Sequence, residues 1–468
     1  MRRAAVLVAL TGLACTPAAA PPPKWPALAQ RWYDRATESY RTTDFEDAAI
    51  AADNALRLLP KEPEVRVLCS RIALAGLEFD RALQLLDGVA GNDARAVRGR
   101  AYWYSGKVDH AADELESLLT DPEIRDTWAQ QVSKLARRGS GRVPFRMSGA
   151  MLAAVEMPQV AATALVVPLE INGEPALGMI ATNSSEVVVD SQASAEPSWV
   201  SLRFGEKLEV RDVPALAKDL SGLSKQLDAP IKTLLGVNLL RHLHPTVDFA
   251  GGQFVVRSFD PPAPPAATTV KLSYVRGGGM LIRSQLGAAQ TSPMASFLID
   301  TSMSFPIALD EHGWQKAGID VKKLRVVPTA TGIRQGTLPL LRLGAFELPH
   351  VPGIHGAPVA ELEQGLDVDL DGLMGSGLLA AFRVTLVDGG RTMWLEDMPA
   401  EAVAASQAPG ILDTPVGDTP DSSDAEAPAD APVPDDAQPP PPGSGKKALP
   451  KAPTTPKKAP PAPDAGWP

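Results

Sequence analysis

Cysteine is almost absent from this 468-residue sequence, which contains only Cys15 and Cys69. Two cysteines cannot form a disulfide framework, and they cannot build a structural metal site by themselves. Each is better explained separately, Cys15 by an N-terminal lipid anchor and Cys69 by the core of a helix.

A positive net charge is also lacking, since the formal charge is −10 at pH 7. A general nucleic-acid binder needs a basic face, so we expect no nucleic-acid partner. Apolar residues make up 44% of a chain that is long enough for two or three domains. The 45 prolines are too many for one compact fold. From 403 to 468 they alternate with charged residues, which predicts a disordered tail.

The apolar run Ala4–Leu13 follows two arginines and is too short to span a bilayer as a helix. This pattern is typical of a signal peptide, which we assign to residues 1–20. Two ends remain open. Ala18–Ala20 fits a cleavage site, whereas Leu13–Cys15 resembles a bacterial lipoprotein box with Cys15 as the lipid carrier. We expect an exported, extracytoplasmic lipoprotein of a bacterial periplasm or outer membrane, in contact with the membrane only through its lipid.

Residues 25–138 have a helical pattern that repeats itself. Three segments share an apolar residue, two polar residues and an alanine: Phe45–Ala48, Phe79–Ala82 and Val108–Ala111. Their alanines are 34 and 29 residues apart, and small alanines let paired helices approach closely. The region resembles tetratricopeptide repeats, which are helix–turn–helix units of 34 residues. The resemblance implies a protein partner held by these helices. An ordinary helical bundle is the alternative.

Beyond Gly139–Gly141 the apolar periodicity becomes that of strands, and Asn172–Gly173 predicts a tight hairpin. The same order of features occurs twice, in residues 155–258 and 266–397. In each copy an apolar strand enters a polar loop, and an apolar-apolar-glycine turn follows later. The matched segments are Met179–Ser185 with Leu234–Gly236, and Phe297–Ser304 with Leu373–Gly375.

This doubled pattern resembles the pepsin and retropepsin family of aspartic peptidases. In that family each lobe carries Asp-Thr-Gly-Ser/Ala at the end of an apolar strand, and the later glycine turn supports that loop. The resemblance covers residues 164–396, about half of the chain. It implies a multidomain chain in which tetratricopeptide-like helices precede an all-β, bilobal pepsin/retropepsin-like domain and a disordered tail.

The chemistry of that family needs two adjacent carboxylates that share one proton, because both cannot ionise together. One acts as general base on a water while the other protonates the substrate carbonyl. On the matched motif Asp300 supplies one carboxylate, but Ala181 stands where its partner belongs. Asn183 and Ser302 replace the motif glycines. The reactive positions are therefore degenerate.

The supporting residues are better preserved than the reactive ones. Thr182 and Thr301 match the threonines that join the two loops by hydrogen bonds in the family, and Gly236 and Gly375 match the supporting glycines. The turn Thr331–Ile333 lies where such lobes carry a flap over the cleft. The first lobe has few residues at the corresponding place, so its flap is expected to be short or absent. One flap still permits an extended peptide to bind.

Two other acidic residues lie near the lost aspartate in the sequence. Glu186 and Asp190 follow the first motif, but neither occupies the motif position, and Asp190 reads as a strand-end residue. Pairing of Asp300 between two chains of a homodimer is a further alternative. Asp367–Gly372 imitates a calcium loop but has Leu378 where the loop needs a glutamate. The histidines do not cluster, so we expect no metal and no cofactor.

The sequence thus predicts an exported, catalytically impaired aspartic-peptidase-like protein that binds peptide or protein segments in its cleft. One alternative is an active aspartic endopeptidase that uses Asp300. The other is a scaffold lipoprotein that acts through its helical repeats.

Overall fold

The computed structural model describes residues 24–160, 164–192, 195–249, 251–287, 289, 291–328 and 330–397. The predicted signal peptide with Cys15 and the predicted tail 403–468 lie outside these residues. All of these described residues belong to one compact unit. Within the described part, no helix combines the length and apolar character needed to cross a membrane.

Seven helices form an N-terminal arm, and each packs against the next along the chain. They are α1 Ala27–Arg41, α2 Phe45–Leu58, α3 Pro63–Ala75, α4 Phe79–Leu85, α5 Asn92–Tyr104, α6 Val108–Leu118 and α7 Thr127–Arg138. Ala48, Ala82 and Ala111 are fully buried, which permits the close helix approach that their spacing indicates. Gly139 follows the last residue of α7 directly.

The chain after the arm is rich in β-structure, which confirms the helical-then-β layout. Its strands are β1 Arg146–Gly149, β2 Leu152–Glu156, β3 Val166–Ile171, β4 Glu174–Ile180, β5 Val187–Asp190, β6 Ser198–Phe204, β7 Leu208–Lys218, β8 Ile231–Leu235, β9 Thr246–Asp248, β10 Gln253–Arg257, β11 Thr268–Lys271, β12 Ser273–Val275, β13 Gly279–Leu286, β14 Met294–Asp300, β15 Ile307–Leu309, β16 Arg325–Val326, β17 Arg334–Leu343, β18 Phe346–His355, β19 Gly372–Gly375, β20 Phe382–Val387 and β21 Thr392–Asp397. Short helices interrupt them: α8 Ser221–Gln226, α9 Val237–Leu243, α10 Glu311–Lys316, α11 Val359–Leu366 and α12 Ser376–Leu379.

Two of the sheets close into rings with the same strand order. The first ring, here called lobe 1, runs β3-β4-β8-β5-β7-β6 and returns to β3. The second ring, lobe 2, runs β13-β14-β19-β15-β18-β17 and returns to β13. In both rings the second and third strands pair in parallel, and so do the fourth and fifth. The duplicated sequence pattern therefore corresponds to a duplicated topology.

A third sheet joins the two halves of the β region. Its order is β11-β21-β20-β9-β10-β2, and β9 pairs with β20 across the boundary between the halves. The hydroxyls of Thr246 and Thr385 lie 2.8 Å apart at that pairing. One buried apolar core extends through both lobes and this shared sheet. The lobes are thus packed as one body, which fixes the positions of their loops.

The predicted tight hairpin is present between β3 and β4, where Ile171 pairs with Glu174. Asn172 and Gly173 have φ values of 52° and 87°. These left-handed values are those that asparagine and glycine tolerate best.

Candidate functional site

The parallel strand pairs bring each polar loop beside its supporting glycine. Asp300 pairs with Gly375, and Ile180 pairs with Leu235, the residue before Gly236. A Cβ atom at position 236 would lie 2.1 Å from the carbonyl oxygen of Glu186. One at position 375 would lie 2.1 Å from the carbonyl oxygen of Phe305. Both positions therefore require glycine, because the loop backbone passes too close for any side chain.

Thr182 and Thr301 join the two loops by reciprocal hydrogen bonds. The amide of Thr182 donates to the Thr301 hydroxyl at 3.1 Å, and the amide of Thr301 donates to the Thr182 hydroxyl at 3.0 Å. Each hydroxyl donates in turn to a strand carbonyl of the other lobe, Thr182 to Ile299 at 2.8 Å and Thr301 to Ile180 at 2.9 Å. Positions 181 and 300 consequently end up on neighbouring loops of the two lobes.

Asp300 is partly exposed and is held by a polar chain that crosses between the lobes. Its Oδ1 accepts a hydrogen bond from the Ser302 amide at 2.9 Å and one from the Ser302 hydroxyl at 2.5 Å. The side-chain amide of Asn183 donates to the same Ser302 hydroxyl oxygen at 3.1 Å. The two residues that replace the motif glycines thus orient the one remaining carboxylate.

Ala181 has no accessible surface and lies in an apolar cluster with Met179, Leu220 and Leu227. A methyl group can neither take nor give a proton. Position 181 therefore supplies no partner with which Asp300 could share one.

Neither alternative acid is available to replace the missing partner. Glu186 is buried, and its Oε1 accepts hydrogen bonds from the indole nitrogens of Trp103 at 3.1 Å and Trp128 at 3.2 Å. Burial raises the pKa of Glu186, although these donors act against the rise. Asp190 is buried beside Lys232 at 2.9 Å. Despite the opposing effect of burial, the Lys232 hydrogen bond brings the pKa of Asp190 below its usual value.

The turn Thr331–Ile333 connects β16 to β17 in lobe 2. The amide of Ile333 donates to Ala330 at 3.1 Å, and Gly332 has a φ of 81°. The turn packs against Gly356, because a Cβ at that glycine would lie 2.4 Å from the Gly332 carbonyl oxygen. In lobe 1, no strand of the described residues lies between Asp190 and Ser198. Only lobe 2 therefore has a hairpin at this place in the described structure.

The residues considered for metal binding have other contacts. Asp371, in the calcium-like segment, accepts hydrogen bonds at 2.8 Å from both Lys316 and the Ser296 amide. His242 stacks on Phe145 with ring centroids 4.4 Å apart, and burial lowers the pKa of this imidazole to about 3. Across the described ranges, no cluster of three or more potential metal ligands occurs.

Sequence reasoning missed the aromatic residues that dock the arm onto the lobes. Trp103 and Trp128 of the arm donate to Glu186 of lobe 1. In the other direction, the indole of Trp199 in β6 donates to the Leu135 carbonyl oxygen of α7 at 2.9 Å. A Cβ at Gly277 would lie 2.5 Å from the Tyr104 ring. The available signal was the presence of large aromatic residues in an otherwise alanine-rich repeat.

Several solved structures are similar to parts of the chain. A retropepsin-like aspartic protease from Rickettsia conorii is 22% identical, with a TM-score of 0.21, over 28% of this chain and 90% of that one. The TPR domain of Arabidopsis OM64 is 16% identical, with a TM-score of 0.23, over 24% of this chain and 95% of that one. Basic 7S globulin from soybean is 10% identical, with a TM-score of 0.36, over 54% of this chain and 95% of that one.

All three TM-scores are below 0.5. No family model matches the chain, and no curated protein matches it.

Proposed function

We propose that this chain is an exported, pepsin- or retropepsin-like protein that binds peptide or protein segments beside Asp300 and is impaired in cleaving them. The observation that carries the proposal is the pairing of the two loops through Thr182 and Thr301, with Ala181 rather than a second acid on the lobe 1 loop. The hydrogen bonds that hold the two loops together support a binding site, but position 181 lacks the second carboxyl that cleavage needs.

Cleavage is impaired because it needs two proton transfers in one step and the site has one carboxylate. Peptide hydrolysis by paired carboxylates needs a base to activate water and an acid to protonate the carbonyl in the same step. A lone carboxylate can perform one of these tasks at a time. Asp300, oriented by Ser302 and indirectly by Asn183, is suited to accept hydrogen bonds from a bound peptide backbone.

The second candidate is an active aspartic endopeptidase, which the retained and partly exposed Asp300 favours. The experiment incubates the purified full chain with fluorescein-labelled casein, an unfolded protein, at acidic and neutral pH, and measures both capture and fragment release. We expect capture without fragments. The Asp300→Asn variant should weaken capture, whereas Asp93→Asn, a change at an exposed aspartate of the arm, should not.

Fragment release that Asp300→Asn and a pepstatin-type inhibitor both abolish would establish the endopeptidase instead. If the wild-type chain captures no casein at acidic pH and none at neutral pH, the binding function is refuted.

Export and anchoring are proposed from the sequence, with Cys15 as the lipid carrier and the tetratricopeptide-like helices as a scaffold for a protein partner. Expression in a bacterium followed by membrane fractionation tests the anchor. The wild-type chain should sediment with membranes, and Cys15→Ala should move it to the soluble extracytoplasmic fraction. A wild-type chain that is itself in the soluble extracytoplasmic fraction would support cleavage after Ala20 instead, and a Cys15→Ala chain that still sediments with membranes would refute Cys15 as the anchor.

A further inference from the structure

The helical arm makes direct contacts with both lobes. On lobe 2, the Arg41 guanidinium pairs with Asp369, and the Asp44 carboxylate pairs with Arg283 at 2.8 Å. On lobe 1, the Arg138 guanidinium donates to the Pro197 carbonyl oxygen at 3.0 Å. With the indole bonds to Glu186, these contacts come from α1, the start of α2, α5 and α7. The arm therefore bridges the two lobes.

The arm covers the face of β14 that carries Asp300. Side chains alternate along a strand, so Ser296 and Leu298 share the face of Asp300. Phe297 and Ile299 point the other way, into the main core. The Ser296 hydroxyl is hydrogen-bonded to the Thr43 hydroxyl, just after α1. Coverage by the arm thus begins on the same face as the carboxylate.

Leu298, two residues from Asp300, is 3% exposed. It lies in a buried cluster that includes Cys69 and Ile72 of α3 together with Val359 of α11. An extended segment could not lie along this face of β14 without displacing part of that cluster.

Tyr104 closes a second side of the same region. Its ring lies against Gly277, and a Cβ at Gly278 would be 3.1 Å from the Tyr104 hydroxyl oxygen and 2.3 Å from the Cβ of Ser185. Ser185 is four residues beyond Ala181 on the lobe 1 loop. The α5 side chain therefore sits where the motif loop of one lobe meets the β12–β13 hairpin of the other.

We propose that the arm is an autoinhibitory clasp, which shifts away from β14 before an extended segment can reach Asp300. This inference rests on the proposed function, since it concerns access to the same site. The apparent affinity for a ligand is reduced by the fraction of molecules in the open state. The arm contacts set that fraction, so any factor that loosens the arm raises the affinity of the site.

The test locks the arm with a disulfide between Thr43→Cys and Ser296→Cys in a full-length Cys15→Ser chain. The hydrogen bond between the native hydroxyls brings the two side chains within disulfide reach. Burial raises the pKa of the Cys69 thiol to about 12, so this residue should not compete. The matched control is Thr246→Cys with Thr385→Cys, which crosslinks the shared sheet away from the arm.

Capture of fluorescein-labelled casein should be about tenfold weaker or more in the oxidised Thr43–Ser296 pair than after reduction, because the open fraction falls. The control pair should bind equally in both redox states. Equal binding by oxidised and reduced forms of the arm pair would overturn the clasp. If the arm pair does not fold, Arg41→Cys with Asp369→Cys replaces it at a more exposed contact, where the Asp369 amide donates to the Arg41 carbonyl oxygen at 2.7 Å and so holds the two backbones close together.

A readout without ligand separates failure of the clasp from failure of the binding function. Amide hydrogen exchange of residues 294–300 should slow when the arm disulfide forms, because local opening is suppressed. If no form captures casein, slower exchange still supports arm opening while the binding function is lost. Unchanged exchange overturns the clasp.

Discussion

Thr182 and Thr301 each hold the backbone amide of the other with a side-chain hydroxyl, at 3.1 and 3.0 Å, although they are 119 residues apart in the chain. Each hydroxyl also donates to a carbonyl oxygen of the opposite lobe. Because both residues are buried, every one of these groups depends on its partner for a hydrogen bond. This pair fixes how the loops carrying positions 181 and 300 face each other.

Replacement of either threonine by valine should destabilise the chain. Thr182→Val leaves the Thr301 amide and the Ile299 carbonyl oxygen buried without a partner, at a cost of about 1–3 kcal/mol for each unsatisfied group. Thr182→Ser, which keeps the hydroxyl, is the control and should lose less. Urea unfolding measures the difference. Thr301→Val removes the other two bonds, so it should destabilise the chain by a similar amount; an unchanged urea midpoint in both valine variants would contradict the reciprocal pairing.

Introduction of an acid at position 181 should create peptidase activity. Ala181→Asp would place a second carboxyl on the loop opposite Asp300, and the pair could then share one proton. We expect cleavage of labelled casein at acidic pH at about 10²–10⁴-fold above the wild-type chain, the usual contribution of acid–base catalysis. Ala181→Asn has the same size without the titrating group and should remain inactive.

The new activity must disappear when Asp300→Asn is added to Ala181→Asp. A folded Ala181→Asp variant that captures casein but releases no fragments would contradict the proposed pairing of positions 181 and 300. Thermal unfolding of each variant tests whether the fold tolerates the substitution at the buried position 181.

The two supporting glycines should be intolerant of any side chain. Gly236→Ala and Gly375→Ala each insert a methyl 2.1 Å from a loop carbonyl oxygen, so the loop must move. Overpacking of this kind costs about 1–3 kcal/mol or more. Gly222→Ala in α8 is the control, since no atom beyond its own helix backbone and chain neighbours lies within 4 Å of the added carbon. A lowered melting temperature for the first two variants and an unchanged or higher one for the third is expected; equal effects would show that the loops can adjust.

The parts of the fold that were predictable are those with local signals. Apolar periodicity distinguished the helices of the arm from the later strands, and Gly139 stands at the end of α7. The Asn172–Gly173 hairpin follows from the backbone freedom of its two residues. Repetition of the strand–loop–glycine order indicated a duplicated β region, which the two rings of equal strand order match.

The docking of the arm was not predictable in the same way. Glu186 contacts Trp103 and Trp128 across 83 and 58 residues of sequence, and such contacts leave no periodic pattern. The sequence presented Glu186 as an acid near a motif, whereas its carboxylate joins the arm to lobe 1. The hydrogen bonds that link Asn183 to Ser302 and Ser302 to Asp300 were not predictable for the same reason, because they form only when two distant loops meet.

The buried carboxyl of Glu186 makes the stability of the arm contact depend on pH. Burial raises its pKa above the ordinary value of 4.5, while the indole donors, Asn238 and Tyr104 oppose the rise. Arg241 interacts electrostatically with Glu186, and its Nη2 donates to the side-chain oxygen of Asn238 at 2.5 Å. A raised pKa means that the folded state holds the proton more tightly. The stabilisation that protonated Glu186 contributes to the folded state is therefore complete below pH 4.5, and it is lost as the pH rises through the folded pKa.

Glu186→Gln removes this titration and keeps a side chain that can accept the indole hydrogen bonds. As the pH rises above 4.5, the free energy of unfolding of the variant should gain on that of the wild-type chain by up to about 1.4 kcal/mol per pH unit. Urea titrations across acidic and neutral pH, followed by tryptophan fluorescence, measure the difference. Asp190→Asn is the control, because its pKa shift has the opposite sign. Burial acts to raise the pKa of Asp190, but the Lys232 hydrogen bond brings it below the ordinary value. The stability that ionised Asp190 contributes is therefore present at higher pH and lost only below pH 3.8. Parallel stability curves for Glu186→Gln and the wild-type chain would mean that the Glu186 carboxyl titrates alike in the folded and unfolded states.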